Sequence, residues 1–113
     1  MIVLTLPVPP LLNRYYRKFR NRMVLSSDGR IFKQKVALAC REAGVTPLTG
    51  CVQVEAIIYR ARNAGDVDGY AKAILDALQK HAYLDDKQVV KLTLIKLIDR
   101  RNPRAEVRIT RYE

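Results

Sequence analysis

A chain of 113 residues, 49% of them hydrophobic, buries roughly two thirds of the surface it would expose unfolded, so one ordinary core holds it without staples. Twenty-one Lys and Arg against eleven Asp and Glu leave a net charge of +10, which favours an anionic partner: nucleic acid first, an acidic membrane or protein second. The apolar runs fall far short of the ~20 residues that span a bilayer. The N-terminus has no basic leader, and one histidine with no CxxC leaves nothing to build a structural zinc site. The expectation is a single cytoplasmic domain over residues 1–113 with no membrane segment.

Residues 2 to 6 read as a strand with Ile2, Leu4 and Leu6 on one face, ended by "PVPP", which cannot continue a central ladder. The segment that follows, "NRYYRKFRNR", interleaves cations with aromatic rings and reads as a basic loop. Eight of the 21 basic residues fall between Arg14 and Lys35. Arg14, Tyr15, Arg17, Lys18, Arg20 and Arg22 are the candidate nucleic-acid contacts, since cations suit phosphates and rings suit unstacked bases.

"SSDGRIFKQKVALACREAG" predicts the first helix, with Ser27 or Asp28 as N-cap, an apolar face of Phe32, Val36, Ala39, Cys40 and Ala43, and a stop at Gly44. Residues 51 to 59 alternate as a strand, with Val52, Val54, Ala56 and Ile58 inward. These patterns place Cys40 and Cys51 in a helix and a strand, as two buried reduced thiols.

A second helix is expected from Asp66 to His81, with Val67, Ala71, Ile74, Leu75, Leu78 and Ala82 as its apolar stripe. Residues 89 to 98 form a strand whose apolar phase breaks at Lys96, which predicts a bulge near 95. "RAEVRIT" closes the chain as a strand with Ala105, Val107 and Ile109 inward. The order is β-α-β-α-β-β, an α+β fold with a mainly antiparallel or mixed sheet packed against two helices.

Five of the eleven acids crowd into residues 65 to 86: Asp66, Asp68, Asp76, Asp85 and Asp86. Each has an ordinary structural reading. Asp66 and Asp68 suit a helix N-terminus, Lys72 suits an ion pair with Asp68, Asp76 pairs with Lys72 or Lys80, and Asp85 and Asp86 suit a turn. His81 reads as a dipole partner or surface residue, and Tyr83 fits either core or a substrate face. Taken together, carboxylates beside a lysine on a basic body match what a hard cation and a phosphodiester need.

"LPVPPLLNRYYR", "SSDG", "DVDGYAKAILDAL" and "YLDDKQVV" resemble, in order and over nearly the whole chain, the RusA family of Holliday junction resolvases of bacteria and their prophages. The resemblance implies a homodimeric, Mg²⁺-dependent endonuclease that nicks opposing strands of four-way branched DNA. It implies metal-binding acids Asp66, Asp68 and Asp86, a catalytic Lys72, and Asp85 as an accessory ligand. One departure stands out: the family often has Asn after the DxD, where this chain has Gly69. The rival expectation is a non-catalytic basic nucleic-acid-binding module of the same fold.

A helix from Asp66 to His81 would be roughly 22 Å long, whereas ligands lie ~2.1 Å from Mg²⁺. The acids at its two ends therefore meet only if the helix ends early and the loop folds back, or if two subunits place Asp86 of one beside Asp66 and Asp68 of the other. Both arrangements satisfy the sequence.

Overall fold

The computed structural model describes residues 1–113. In chain order the elements are β1 (Ile2–Leu6), α1 (Leu12–Tyr15), β2 (Tyr16–Phe19), β3 (Arg22–Leu25), α2 (Ser27–Glu42), β4 (Val52–Arg60), α3 (Ala71–Leu78), β5 (Val89–Ile98) and β6 (Arg104–Arg111). Two 3₁₀ turns, Val67–Tyr70 and Asp86–Gln88, flank the α3 crossover. The long strands form one mixed sheet in the order β1-β6-β4-β5, with β4 and β5 parallel and the other neighbours antiparallel. The α+β fold is as expected, and no helix is long and apolar enough to cross a membrane.

Period-two patterning decides which sheet face is covered. Ile2, Leu4 and Leu6 of β1, Val52, Val54, Ala56 and Ile58 of β4, and Ala105, Val107 and Ile109 of β6 are all buried. They share one core with Phe32, Val36 and Cys40 of α2 and with Ala73, Ile74, Ala77 and Leu78 of α3. Ser26, rather than Ser27 or Asp28, caps α2, its Oγ accepting the Gly29 N–H at 3.0 Å. The helix gives way at Gly44, where φ is +65° and a side chain would be strained. Of the two free thiols, Cys40 is buried, whereas Cys51 is exposed just before β4 begins.

The basic segment is not a loop. It forms the one-turn α1 and the hairpin β2–β3, whose two-residue turn, Arg20-Asn21, has positive φ at both positions. That is the type I′ pattern, whose twist matches the flanking strands, although Arg20 brings no intrinsic preference for it. Tyr15 is fully buried and therefore leaves the expected set of DNA contacts. Its hydroxyl donates to the Asp76 carboxylate, and Lys33 Nζ stands 3.6 Å from the same carboxylate. Burial pushes the Tyr15 phenol far up, and the bond to Asp76 adds to the effect. Asp76 thus joins the basic arm and α2 to α3, in place of the expected pairing with Lys72 or Lys80.

The second helix is shorter than its periodicity predicts. Residues 67–70 wind as 3₁₀, α3 ends at Leu78, Gln79 turns extended and Lys80 takes a φ of +74°. The reversal buries Ala82 and Tyr83, whose hydroxyl donates to the Leu75 carbonyl at 2.6 Å. Tyr83 is core. The bulge expected near 95 is absent. The register shift lies between Val52 and Gln53, opposite Val89 and Lys91, and Lys96 stays in phase with Leu92 and Leu94.

Asp76→Ala strands a buried phenol hydroxyl and removes the partner of Lys33, so a loss of about 1–3 kcal/mol is expected in urea unfolding. Adding Tyr15→Phe, which keeps the ring and deletes the orphaned donor, is expected to recover part of that loss. A double variant whose losses simply add would show that the two groups are not coupled.

Candidate active site

The parallel β4–β5 pair sets the positions of the two acid groups, Asp66–Asp68 and Asp85–Asp86. Strand β4 ends at Arg60, and the chain must cross over through a helix before β5 can run alongside it. The crossover begins with Gly65-Asp66-Val67-Asp68-Gly69. Gly65 has a φ of +73°, and Asp66 occupies the N-cap position of the 3₁₀ turn, as expected. Its side chain, however, makes no capping hydrogen bond. The Gly69 N–H is satisfied by the Asp66 backbone carbonyl at 3.0 Å.

Asp66 and Asp68 are both exposed, and neither carboxylate has a hydrogen-bond or ion-pair partner in the chain. Lys72, half-buried one turn further on, does not pair with Asp68. Asp66 and Asp68 thus sit at the N-terminus of the turn, but the capping hydrogen bond and the ion pair with Lys72 that the sequence allowed are not formed.

Two contacts hold this corner. Lys96, on the helix-covered face of β5, donates from Nζ to the Gly65 carbonyl at 2.5 Å. Leu11, just before α1, packs against both glycines: a Cβ at Gly65 would stand 2.7 Å from Leu11 Cδ2, and one at Gly69 would stand 2.9 Å from it. Gly69 is thus explained locally. The space that a side chain after the DxD would need is filled by Leu11.

At the far end of the crossover, Asp85 and Asp86 behave differently. Asp85 accepts the Lys87 N–H at 2.9 Å, while Gln88 Oε1 accepts the Asp85 N–H at 3.1 Å, a complete capping box. The Lys87 N–H holds the Asp85 carboxyl below its usual range. The cap engages one carboxylate oxygen of Asp85, which differs in this from the unpartnered Asp66 and Asp68. Gln88 also donates to the carbonyls of Leu48 and Gly50 at 2.9 and 2.8 Å, pinning the turn to the start of β4. Sequence reasoning missed this residue, although the spacing D-x-x-Q was its signal. Asp86 is partly exposed; burial first, and then the Asp86 charge, push the Tyr83 phenol up.

Strand β5 measures the distance between the two acid groups. Lys96 fixes Gly65 at one end and Asp86 precedes Val89 at the other, so the seven residue steps from Val89 to Lys96 separate them by roughly 23 Å at ~3.3 Å per step. No three Asp, Glu, His or Cys side chains in one chain come within reach of a common ion. The helix does end early, yet folding back carries Asp86 toward Leu48 and Gly50, at the start of β4, instead of toward Asp66.

The remaining candidates lie on the basic arm. Arg14, Arg17, Lys18, Arg20 and Arg22 are all exposed and none is ion-paired. The guanidiniums of Arg17 and Arg20 each lie 5.2 Å from the Phe19 ring centroid, so the hairpin presents an aromatic ring between cations.

Residues 7–110 match the family model described as Endodeoxyribonuclease RusA. The chain is 36% identical over 110 residues to the crossover junction endodeoxyribonuclease RusA of Escherichia coli K12, covering 95% of this chain and 92% of that one. It is 34% identical over the same span to the proteins of that name from Shigella sonnei and Enterobacteria phage 82, again covering 95% and 92%.

The packing of Leu11 against Gly69 makes a substitution at one position depend on the other. Gly69→Asn alone is expected to cost about 1 kcal/mol, because only the flexible end of Leu11 has to move aside. Combined with Leu11→Ala it is expected to regain part of that loss, read from thermal unfolding of the four proteins of the cycle. Equal losses with and without Leu11 would place the clash elsewhere.

Proposed function

The chain belongs to the RusA family of endodeoxyribonucleases, and from that premise we propose that it resolves four-way DNA junctions by hydrolysing one phosphodiester in each of two opposed strands. One observation carries this reading. In a chain of net charge +10, the carboxylates of Asp66 and Asp68 stand exposed and without an internal partner, on a corner held by Leu11 and Lys96. Acids that make no side-chain hydrogen bond or ion pair amid excess cations suit an ion brought in with phosphate.

An all-carboxylate donor set fits a hard, oxygen-seeking divalent cation such as Mg²⁺. Asp66 and Asp68 would hold it, with Asp86 completing the set. When bound, such a cation neutralises charge at the phosphate under attack. Lys72, one turn beyond Asp68 in the first turn of α3, would stabilise developing charge on the leaving oxygen. The basic hairpin grips flanking phosphates through Arg17, Lys18 and Arg22. The absence of a three-ligand cluster within one chain supports a homodimer in which Asp86 of one copy completes the Asp66–Asp68 set of the other.

The surface best suited to that assembly is the free edge of β5. It is ten residues long, pairs only with β4, and exposes Val90, Ile95, Leu97 and Ile98. A long apolar edge is normally covered. Two β5 edges paired antiparallel across a two-fold axis bring the Val89 end of one strand beside the Lys96 end of the other. That arrangement sets Asp86 of each copy toward the acid corner of its neighbour and gives two symmetric sites for two opposed strands.

A labelled four-way junction is the direct test. Binding in Ca²⁺ followed by paired nicks in Mg²⁺ is the expected result, and binding with no nick under either ion would leave the non-catalytic module. Neither Asp66→Asn nor Asp86→Asn homodimers are expected to cut, while verified mixed dimers, which regain one complete site, are expected to nick one strand. Mixed dimers with no activity would refute the shared site. Neutralising Arg17, Lys18 and Arg22 together is expected to lower the salt slope of binding by up to ~0.9 per lost phosphate contact, measured across a salt titration.

A further inference from the structure

A cavity of about 430 Å³ opens beside the Asp66–Asp68 corner, between the proline segment after β1 and the first turns of α2. Its floor is apolar, Pro7, Val8, Pro9, Leu11 and Phe32, with exposed Ile31 at its mouth. Its rim carries four cations, Arg14, Lys35, Arg60 and Arg62, against one acid, Asp28, and none of the four is ion-paired. Arg60 Nε is buried with no hydrogen-bond partner, and its guanidinium lies 5.9 Å from the Tyr70 ring centroid. Leu11 belongs both to this floor and to the contact with Gly65 and Gly69, so the cavity and the acid corner share a wall.

The chemistry of the cavity is more specific than a basic surface. A DNA duplex offers an approaching protein its phosphates and sugars, which a convex set of cations satisfies without any apolar recess. An apolar floor under a cationic rim matches a nucleotide, with the base inside and its phosphates outside, and the volume falls in the ~300–1,000 Å³ range of small-molecule sites. Taking a base out of a stack costs a few kcal/mol, least where pairing is already disturbed, as at the branch of a junction.

We propose that this cavity receives one unpaired nucleotide adjoining the phosphate to be cut, with its base against the proline segment and its phosphates on Arg60, Arg14 and Lys35. The assignment rests on the junction-cleaving reading above and adds to it a place where base identity is sensed beside the cut. It also separates the two basic features: the hairpin holds phosphates of any sequence, and the cavity selects.

The test uses 2-aminopurine, whose fluorescence rises when it leaves a stack. The base is placed in turn on either side of the cut in a four-way junction, with the Asp68→Asn protein so that the DNA stays intact. At one of the two positions, binding is expected to raise the signal severalfold. Ile31→Trp, which fills the cavity from an exposed helix position, is expected to abolish the rise while the junction is still bound, and Lys35→Gln to diminish it. Should the tryptophan variant fold poorly, Lys35→Gln and Arg62→Gln give the same reading from the rim. A saturated complex with no rise at either position, or a rise that all three variants retain, overturns the cavity assignment. If the unsubstituted protein still nicks the junction in that case, the resolvase reading stands; protein that neither binds nor nicks it overturns both.

Discussion

Two parallel strands cannot be joined by a tight turn, and this constraint organises the molecule. Strand β4 must be followed by a crossover that travels the length of the sheet before β5 can begin, and α3 with its two 3₁₀ turns makes that journey. Whatever the crossover carries at its start and its finish is consequently held apart by the length of a strand. The acids lie at those two places. A fold that keeps its two acid groups roughly 20 Å apart in each chain cannot bring both to one ion within that chain, which is why a second copy enters the proposed site.

The two ends of the crossover are built by opposite means. At the finish, Asp85 and Gln88 satisfy each other's neighbouring backbone groups, and Gln88 ties the turn to Leu48 and Gly50, so the polar groups there are consumed in holding structure. At the start, backbone and apolar contacts do the holding: Leu11 against two glycines, and Lys96 on the Gly65 carbonyl. The Asp66 and Asp68 side chains are left with nothing to do internally. Rigid backbone with unengaged carboxylates is what ion binding requires, since ordering costs are met in folding and not at the moment of binding.

The distribution of charge follows the same division. Asp76, an acid with no proposed role in chemistry, is engaged by the fold, accepting from buried Tyr15 and lying beside Lys33. Through it the basic arm is anchored to the crossover helix, which ties the hairpin that would grip DNA to the element that carries Lys72. The hairpin cations make no internal ion pairs and stay available to an external anion.

Much of this was legible in the chain itself, because period-two and helical patterning report which face is buried whatever the topology. The inward residues of β1, β4 and β6, the apolar face and Gly44 stop of α2, the α+β class and the two acid clusters all follow from spacing. Local pattern could not show that α3 stops at Leu78, because no glycine marks the stop; the burial of Tyr83 does. It could not tell Tyr15 from its exposed neighbours, since the partner that buries it lies 61 residues away. Nor could it show why Lys96 breaks the apolar rhythm of β5, a question answered only when Gly65 arrives from another part of the chain. Sequence alone settled which side chains are acidic, basic or apolar and on which face they lie; which acids are engaged and which are free was decided by long-range contacts, because hydrogen-bond partners distant in the chain leave no local periodicity.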